Sequence, residues 1–364
     1  MNILYITNHL NIGGITSYTL SLSSGMKKRG HTVFVASSGG RVLPQFIKEG
    51  VNFIPIPIKT KQEISPKIFL SLLKLSGRVK KHNIDIIHAN SRTTQVLGYL
   101  LAKKCKKAYV STCHGFFKKR LFRKMFPCWG LKVIAISESV KDHLMRDFGV
   151  AQNRIAVIHN GIDVDKARSL ELGARRETKK RFGLKDGPVV GIVARLSDVK
   201  GHIYLIEAMR TVIDKLGDAQ LLIVGEGRMK KELLDLTNNL GISDKVLFFP
   251  EVDDTQEVLS VMDIFVMPSL KEGLGLALME AMAQGVAVIG SDVGGIKSLI
   301  QHGHNGLLVK AADTGGLACA MIELLRDSQK RQALARQAQI FIEQNFSQDK
   351  MVLETEKVYA QCLS

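Results

Sequence analysis

Short apolar runs rich in β-branched residues recur along the chain, each followed by a longer stretch of helical periodicity. In the first half the runs are Ile3–Ile6, Val33–Ala36, Val51–Ile56, Ile84–His88, Ala108–Thr112, Val133–Ile136 and Ile155–Ile158. In the second half they are Val189–Val193, Leu221–Val224, Val246–Phe249, Ile264–Met267, Val286–Ile289 and Leu307–Val309. After the first run, Ile15, Tyr18, Leu22 and Met26 repeat at helical spacing. Continuous apolar strands separated by helices predict parallel sheets covered on both faces. The pattern runs twice. Between the two halves, residues 163–187 are polar and charged without a strand signal, which predicts a linker and a first amphipathic helix of the second domain. The expected architecture is α/β, with two Rossmann-like domains, residues 1–165 and 166–346, facing across a cleft. Ligands bind at the carboxyl edges of such sheets.

A length of 364 residues suits two cores. No apolar run reaches the roughly 18 residues needed to cross a bilayer. The opening segment Met1–Thr7 reads as a strand, since no basic region precedes it and no small-residue cleavage site follows. Cys105, Cys113, Cys128, Cys319 and Cys362 lack metal-ligand or disulfide spacing and are expected to pack in a reducing compartment. A cytoplasmic protein is therefore expected, with peripheral attachment to the inner face of the membrane as an extension. The net charge of +17 is unevenly placed: residues 1–165 carry 26 Lys or Arg against 8 Asp or Glu, and the remainder 25 against 26. One domain alone is thus predicted to meet an anionic surface or ligand. Phe116–Phe126 interleaves five cations with Phe and Met, a composition that suits an interfacial helix on anionic lipid or an amphipathic helix packing its Phe side inward. No nucleic-acid recognition motif is present.

Three loops carry candidate chemistry. Gly13 and Gly14 stand between the first strand and first helix, where backbone amides can approach an anion. The spacing is not that of the dinucleotide fingerprint. Arg195 and Lys200 follow a strand of the second half, and two cations on such a loop can reach one diphosphate and neutralise a departing nucleotide. The third loop, Pro268 to Met282, follows a strand and opens a helix. Glu272 falls in its Gly-rich turn, Glu280 about a turn and a half into the helix, and the free amides near Gly275 and Leu276 are placed to face a phosphate. A carboxylate in so apolar a turn needs a partner. His31, His82, His143, His302 and His304 are expected at loops or helix ends. His302-Gly303-His304 has no further ligand at metal-binding spacing.

With these motifs in order, the chain resembles the family 4 glycosyltransferases, retaining enzymes of the two-domain GT-B fold. The resemblance also runs through Thr112-Cys113-His114-Gly115, Ala135-Ile136-Ser137-Glu138-Ser139, His159-Asn160-Gly161-Ile162-Asp163, Val224-Gly225-Glu226-Gly227, Ser291-Asp292-Val293-Gly294-Gly295 and Asn305-Gly306-Leu307-Leu308-Val309. It implies an acceptor-binding first domain, a donor-binding second domain, and a C-terminal helix (347–364) packing back on the first. Gly13 and Gly14 would lie against donor phosphate or sugar, and His114 would hydrogen-bond the sugar near its C6 side. Arg195 and Lys200 would grip the diphosphate. Glu272 would touch the sugar hydroxyls, Glu280 the ribose, and the backbone at Glu251 and Val252 the base. The implied reaction takes a hexose or N-acetylhexosamine from a nucleotide diphosphate sugar, UDP ahead of GDP. The acceptor would be lipid-linked or polysaccharide, in envelope glycan assembly such as lipopolysaccharide, capsule or exopolysaccharide, without metal or cofactor. Departures are Lys297-Ser298 where the family has Pro-Glu, Ala287 in place of Pro, and Pro250 in place of Gly; they bear on base and donor preference. The open alternatives are a metal-dependent transferase using Asp163-Val164-Asp165, a nucleotide-sugar epimerase of the same architecture, and a non-catalytic membrane scaffold.

Overall fold

The computed structural model describes residues 1–364 except 61, 119–122, 124, 165–174 and 253. The chain divides into two compact units, Met1–Gly161 together with Gln348–Ser364, and Ile162–Ser347. Unit 1 holds β1 (Asn2–Ile6), β2 (Thr32–Ser37), β3 (Asn52–Pro55), β4 (Ile86–Ala89), β5 (Ala108–Cys113), β6 (Lys132–Ala135) and β7 (Ile155–Val157). They form one parallel sheet in the order β3-β2-β1-β4-β5-β6-β7. Its helices include α1 (Gly14–Lys28), α2 (Leu43–Lys48), α3 (Pro66–Lys81), α4 (Arg92–Cys105) and α5 (Glu138–Phe148). Side chains alternate across a strand, and here that alternation builds two cores. Ile3 and Tyr5 join Tyr18, Leu22 and Met26 of α1 on one face. Leu4 and Ile6 join Ile68, Leu75 and Val79 of α3 and Leu97 and Leu101 of α4 on the other.

Unit 2 repeats the plan with β8 (Val189–Val193), β9 (Gln220–Val224), β10 (Val246–Phe249), β11 (Ile264–Met267), β12 (Ala287–Ser291) and β13 (Leu307–Val309), in the order β10-β9-β8-β11-β12-β13. Around them lie α6 (Arg175–Arg181), α7 (His202–Leu216), α8 (Lys230–Asn239), α9 (Gln256–Ser260), α10 (Leu276–Ala283), α11 (Ile296–Leu299), α12 (Thr314–Arg326) and α13 (Ser328–Asn345). In both sheets the chain builds outward to one side, then returns past its first strand and continues on the other. That reversal is the topological switch point at which open α/β sheets bind ligands. It falls between β1 and β4 in unit 1 and between β8 and β11 in unit 2.

The last helix, α14 (Gln348–Leu363), belongs to unit 1. Its Met351, Val352, Val358 and Tyr359 enter the core made by Ile3, Tyr5, Tyr18 and Leu22. Gln348 Nε2 donates to the Ser21 carbonyl at 2.7 Å, and Arg29 and His31 both reach Glu356 at 2.6 Å. Gly25 of α1 is what allows so close a crossing, because a Cβ there would collide with the Val352 side chain.

Two expectations are corrected. His143 is not at a helix end: it is buried in the middle of α5, where Nδ1 donates to Asp147 at 2.7 Å and Nε2 accepts the Phe117 N–H at 2.9 Å. The ring thus pairs with both a carboxylate and a backbone amide, which explains a polar residue on that face. Cys319 does not pack, being exposed on α12, whereas the other four cysteines are buried or partly so. The region 165–174, within the stretch read as a linker, lies outside the described residues, as does Asp165.

The crossing of α1 and α14 yields a direct test. Gly25→Leu forces overpacking there and is expected to cost about 1–3 kcal/mol in urea unfolding; an unchanged midpoint would mean that α14 is not seated on α1.

Candidate active site

Unit 2 brings its sequence-predicted residues together at the switch point. The loop after β8 carries Arg195 and Lys200, and the loop after β11 carries Glu272 and Gly275. The two loops are fastened to each other. Leu270 N–H donates to the Val199 carbonyl at 2.9 Å, and Gly201, at φ +70°, abuts the Pro268 carbonyl where no Cβ fits. A third loop, after β12, braces them: Gly295 N–H donates to the Glu272 carbonyl at 3.1 Å, and Gly294 lies against the same peptide. Glycines at these crossings let three backbones approach closely.

Across this frame Lys200 Nζ meets Glu272 Oε2 at 2.5 Å. Glu272 also accepts from Ser269 Oγ and from the Gly273 N–H, each at 3.3 Å. The carboxylate therefore has the partners its apolar turn demands. Gly275, at φ +100°, is the N-cap of α10 and supplies no capping side chain. The first amides of the helix, from Leu276 on, carry its positive dipole end with no side-chain cap. Farther along, Glu280 Oε2 accepts from Thr255 Oγ1 at 2.9 Å, and Gln284 Nε2 donates to the Gln256 carbonyl at 2.8 Å. These bonds tie α10 to the segment after β10 that holds Glu251 and Val252, the first exposed and the second half-buried. Arg195 is exposed and has no hydrogen bond or ion pair among the described residues. The assembly offers a guanidinium, an ammonium and a helix start to an anion, with carboxylates on either side.

Unit 1 places Gly13 and Gly14 at its own switch point. Gly13, at φ +150°, caps α1 without a side-chain hydrogen bond. His114, just after β5, packs edge-on against Tyr18 one turn into α1, with ring centroids 4.6 Å apart. Its Nε2 donates to Asn90 Oδ1 at 3.3 Å, Asn90 following β4 at the switch point. Burial lowers the His114 pKa to about 3, so the ring is a neutral hydrogen-bonding group at pH 7 and not a cation.

Sequence reasoning missed several groups of this site. Asn90 and Thr255, the partners of His114 and Glu280, carry no motif. His202, directly after Gly201, is buried with neither ring nitrogen bonded to the protein, and with Ser197 it lines a pocket of about 190 Å³ beneath the Lys200 loop. Burial first, then the Lys200 charge, lowers its pKa to about 4. His88 lies fully inside unit 1, its ring nitrogens 2.5 Å from Tyr359 Oη and 2.6 Å from Thr112 Oγ1. Its place at the end of an apolar run was the available signal.

Of the two readings of Phe116–Phe126, the described residues support inward packing at its start and leave Met125 and Phe126 exposed. Residues 119–122 and 124 lie outside the described residues. Phe117 stacks on Trp129, and Phe116 and Phe148 contact His143. Arg123 is buried, bonded to Glu63 at 2.7 Å. The described part of the stretch thus turns its leading phenylalanines and one cation inward. Among the described residues no cluster of His, Cys, Asp or Glu is gathered as metal ligands, and no helix is long and apolar enough to cross a membrane.

Two Rossmann-like sheets in tandem, each with a glycine-capped helix start at its switch point, define the GT-B class of protein. Residues 12–166 match the model for Glycosyltransferase Family 4, and residues 174–341 that for Glycosyl transferases group 1. The chain belongs to this family and is a glycosyltransferase. It is 27% identical to N-acetyl-alpha-D-glucosaminyl L-malate synthase of Bacillus anthracis, over 97% of this chain and 95% of that one. It is 28% identical to the UDP-Gal:alpha-D-GlcNAc-diphosphoundecaprenol alpha-1,3-galactosyltransferase of Escherichia coli, over 78% of each. Its fold matches that of Anabaena HepE, solved in complex with UDP-glucose, with a TM-score of 0.88 at 21% identity, covering 99% of this chain and 100% of that one.

The buried rings set a pH dependence. Burial, reinforced by the repulsion His88 and His114 would exert on each other if protonated, lowers the His88 pKa from 6.5 to about 3. Between those values the unfolded chain takes a proton that the folded chain refuses. Stability is therefore complete above about pH 6.5 and declines as pH falls toward 3, by up to about 1.4 kcal/mol per pH unit for each such ring. In His88→Gln the loss of unfolding free energy between pH 7 and pH 5 should be smaller than in the wild type by about 2 kcal/mol. Equal losses would show that His88 takes up a proton while folded.

Proposed function

We propose that the protein transfers a hexose or N-acetylhexosamine, with retention, from a nucleotide diphosphate sugar to a lipid-linked or polysaccharide acceptor in envelope glycan assembly. The observation that carries this reading is the Lys200–Glu272 contact beside the uncapped start of α10. In this reading the diphosphate lies over the amides of Leu276 and its neighbours, where the helix dipole and Lys200 meet its charge. Arg195 adds a planar fork suited to phosphate oxygens. As the glycosidic bond to the leaving phosphate breaks, these groups stabilise the charge that accumulates there. Glu272, steadied by Ser269 and Gly273, is placed to accept from sugar hydroxyls, and Glu280, oriented by Thr255, from the ribose. The backbone at Glu251 and Val252 serves the base. Neutral His114 and the amides at Gly13 and Gly14 are assigned to the sugar end of the donor.

Retention follows in this scheme from attack by the acceptor on the face the diphosphate leaves, its proton passing to the departing phosphate. No strong base is invoked, so positioning and electrostatics supply the rate. The E. coli relative supports UDP as nucleotide and a diphosphate lipid as acceptor, since its name specifies UDP-galactose and diphosphoundecaprenol. The UDP-glucose bound in the structure of HepE supports the same class of donor. A cytoplasmic enzyme at the inner membrane face fits such substrates, and no metal takes part.

Lys200→Ala and Arg195→Ala should each lower kcat on the order of 10²-fold with full wild-type activity retained in EDTA; near-normal turnover in both variants, or loss of activity on chelation, would contradict this chemistry. Glu272→Gln separates binding from transfer. It releases Lys200 from its carboxylate, so UDP should bind at least as tightly in calorimetry while turnover falls. Weaker UDP binding would mean that Glu272 supports the diphosphate site.

A further inference from the structure

Five polar side chains cross the interior of unit 1 in one hydrogen-bonded line. Tyr359 of α14 donates from its hydroxyl to Tyr5 Oη on β1 at 3.2 Å and lies 2.5 Å from His88 Nδ1 on β4. His88 Nε2 lies 2.6 Å from Thr112 Oγ1 on β5, which is in turn 3.2 Å from the hydroxyl of Tyr18 on α1. All of them are buried, so water does not compete for these bonds.

The bonds can run in one direction only. Each hydroxyl has a single hydrogen. That of Tyr359 goes to Tyr5, so its oxygen must accept from His88, and Nδ1 carries the ring proton. Burial keeps the ring neutral, with its pKa lowered to about 3, so Nε2 is an acceptor and takes the Thr112 hydrogen. Thr112 Oγ1 then accepts from Tyr18. Tyr18 is where the line meets the site, since its ring packs against that of His114 with 74° between the planes. His114 Nε2 donates to Asn90, which leaves Nδ1 as the acceptor. Seating α14 does not require this line, because Met351, Val352 and Val358 already fill the core there. Buried hydrogen bonds add little stability over apolar groups of the same shape. What they add is a fixed orientation.

We propose that Tyr359 and His88 are positioning residues of the sugar site, acting through Thr112 and Tyr18 to hold the His114 ring with Nδ1 presented to a sugar hydroxyl. The last helix thereby sets the geometry of a group at the end of β5. The line itself stands on unit 1 alone, and its consequence for substrate rests on the assignment of His114 to the donor sugar.

Nitrogen-15 NMR of the histidine side chains in the full chain at pH 7 reads the direction of the line. His88 should be the Nδ1–H tautomer in the wild type. Tyr359→Phe removes the acceptor for that proton, so His88 should shift toward Nε2–H, with Thr112 as its remaining partner, and the His114 resonances should move. Thr112→Val leaves the contact between Tyr359 and His88 in place and should move His114 likewise. In calorimetry both variants should bind UDP as the wild type does and UDP-glucose about three- to ten-fold more weakly, the worth of one neutral hydrogen bond. The double variant should be no weaker than Thr112→Val alone, because both changes cut one line. An Nε2–H His88 in the wild type, unmoved His114 resonances, or wild-type UDP-glucose affinity in both variants would overturn the proposal. Equal weakening of UDP and UDP-glucose would also overturn it, by showing that the line serves stability alone. A wild type that binds neither ligand would sink the glycosyl-transfer reading instead, and the tautomer and the His114 shifts would then decide the positioning by themselves.

Discussion

A lysine and a glutamate from different loops meet at 2.5 Å where the strand order of the second sheet reverses, and the other groups of that unit are arranged about them. The pair is possible only because three loops, those after β8, β11 and β12, are drawn together by glycines at 201, 294 and 295. With the loops so held, the start of α10 is fixed beside the ammonium and left without a side-chain cap. In the free enzyme Glu272 screens Lys200. In the proposed complex the diphosphate competes for that ammonium, so the pair stores a charge in place until an anion arrives. This is preorganisation in the electrostatic sense: the donors are oriented by the fold before substrate binds.

Unit 1 follows different physics. Its interior contains a buried polar chain, Tyr5, Tyr359, His88, Thr112 and Tyr18, linked by hydrogen bonds. Buried polar groups that satisfy one another specify one arrangement of a core. Here the arrangement includes α14, from which Tyr359 reaches His88. The end of the chain thus helps hold β4 and β5, the strands that lead to Asn90 and His114. The residues up to 165, in contrast, carry the whole positive surplus of the protein, whereas those from 166 onward are nearly balanced.

Much of this was legible in the sequence because parallel strands are covered on both faces and must be apolar throughout; all thirteen runs became strands, with ends shifted by a residue or two. The strand-to-helix loops were legible for a related reason: glycines and charges there interrupt otherwise apolar patterns. What periodicity concealed were contacts between distant segments. Thr255 becomes the partner of Glu280 only through the packing of α10 against the segment after β10, and Asn90 the partner of His114 only through neighbouring strands. His143 was misplaced because a polar residue on a helix suggests an end, whereas a backbone amide from Phe117 and the Asp147 carboxylate give it a buried role.

The central claim is that a pyrophosphate sits at the start of α10 against Lys200. A crystal structure of the protein with UDP tests it most directly. The account predicts diphosphate oxygens about 3 Å from Lys200 Nζ and from the first free amides of α10. A diphosphate bound elsewhere, with Lys200 still paired to Glu272 and the helix start facing solvent, would contradict it.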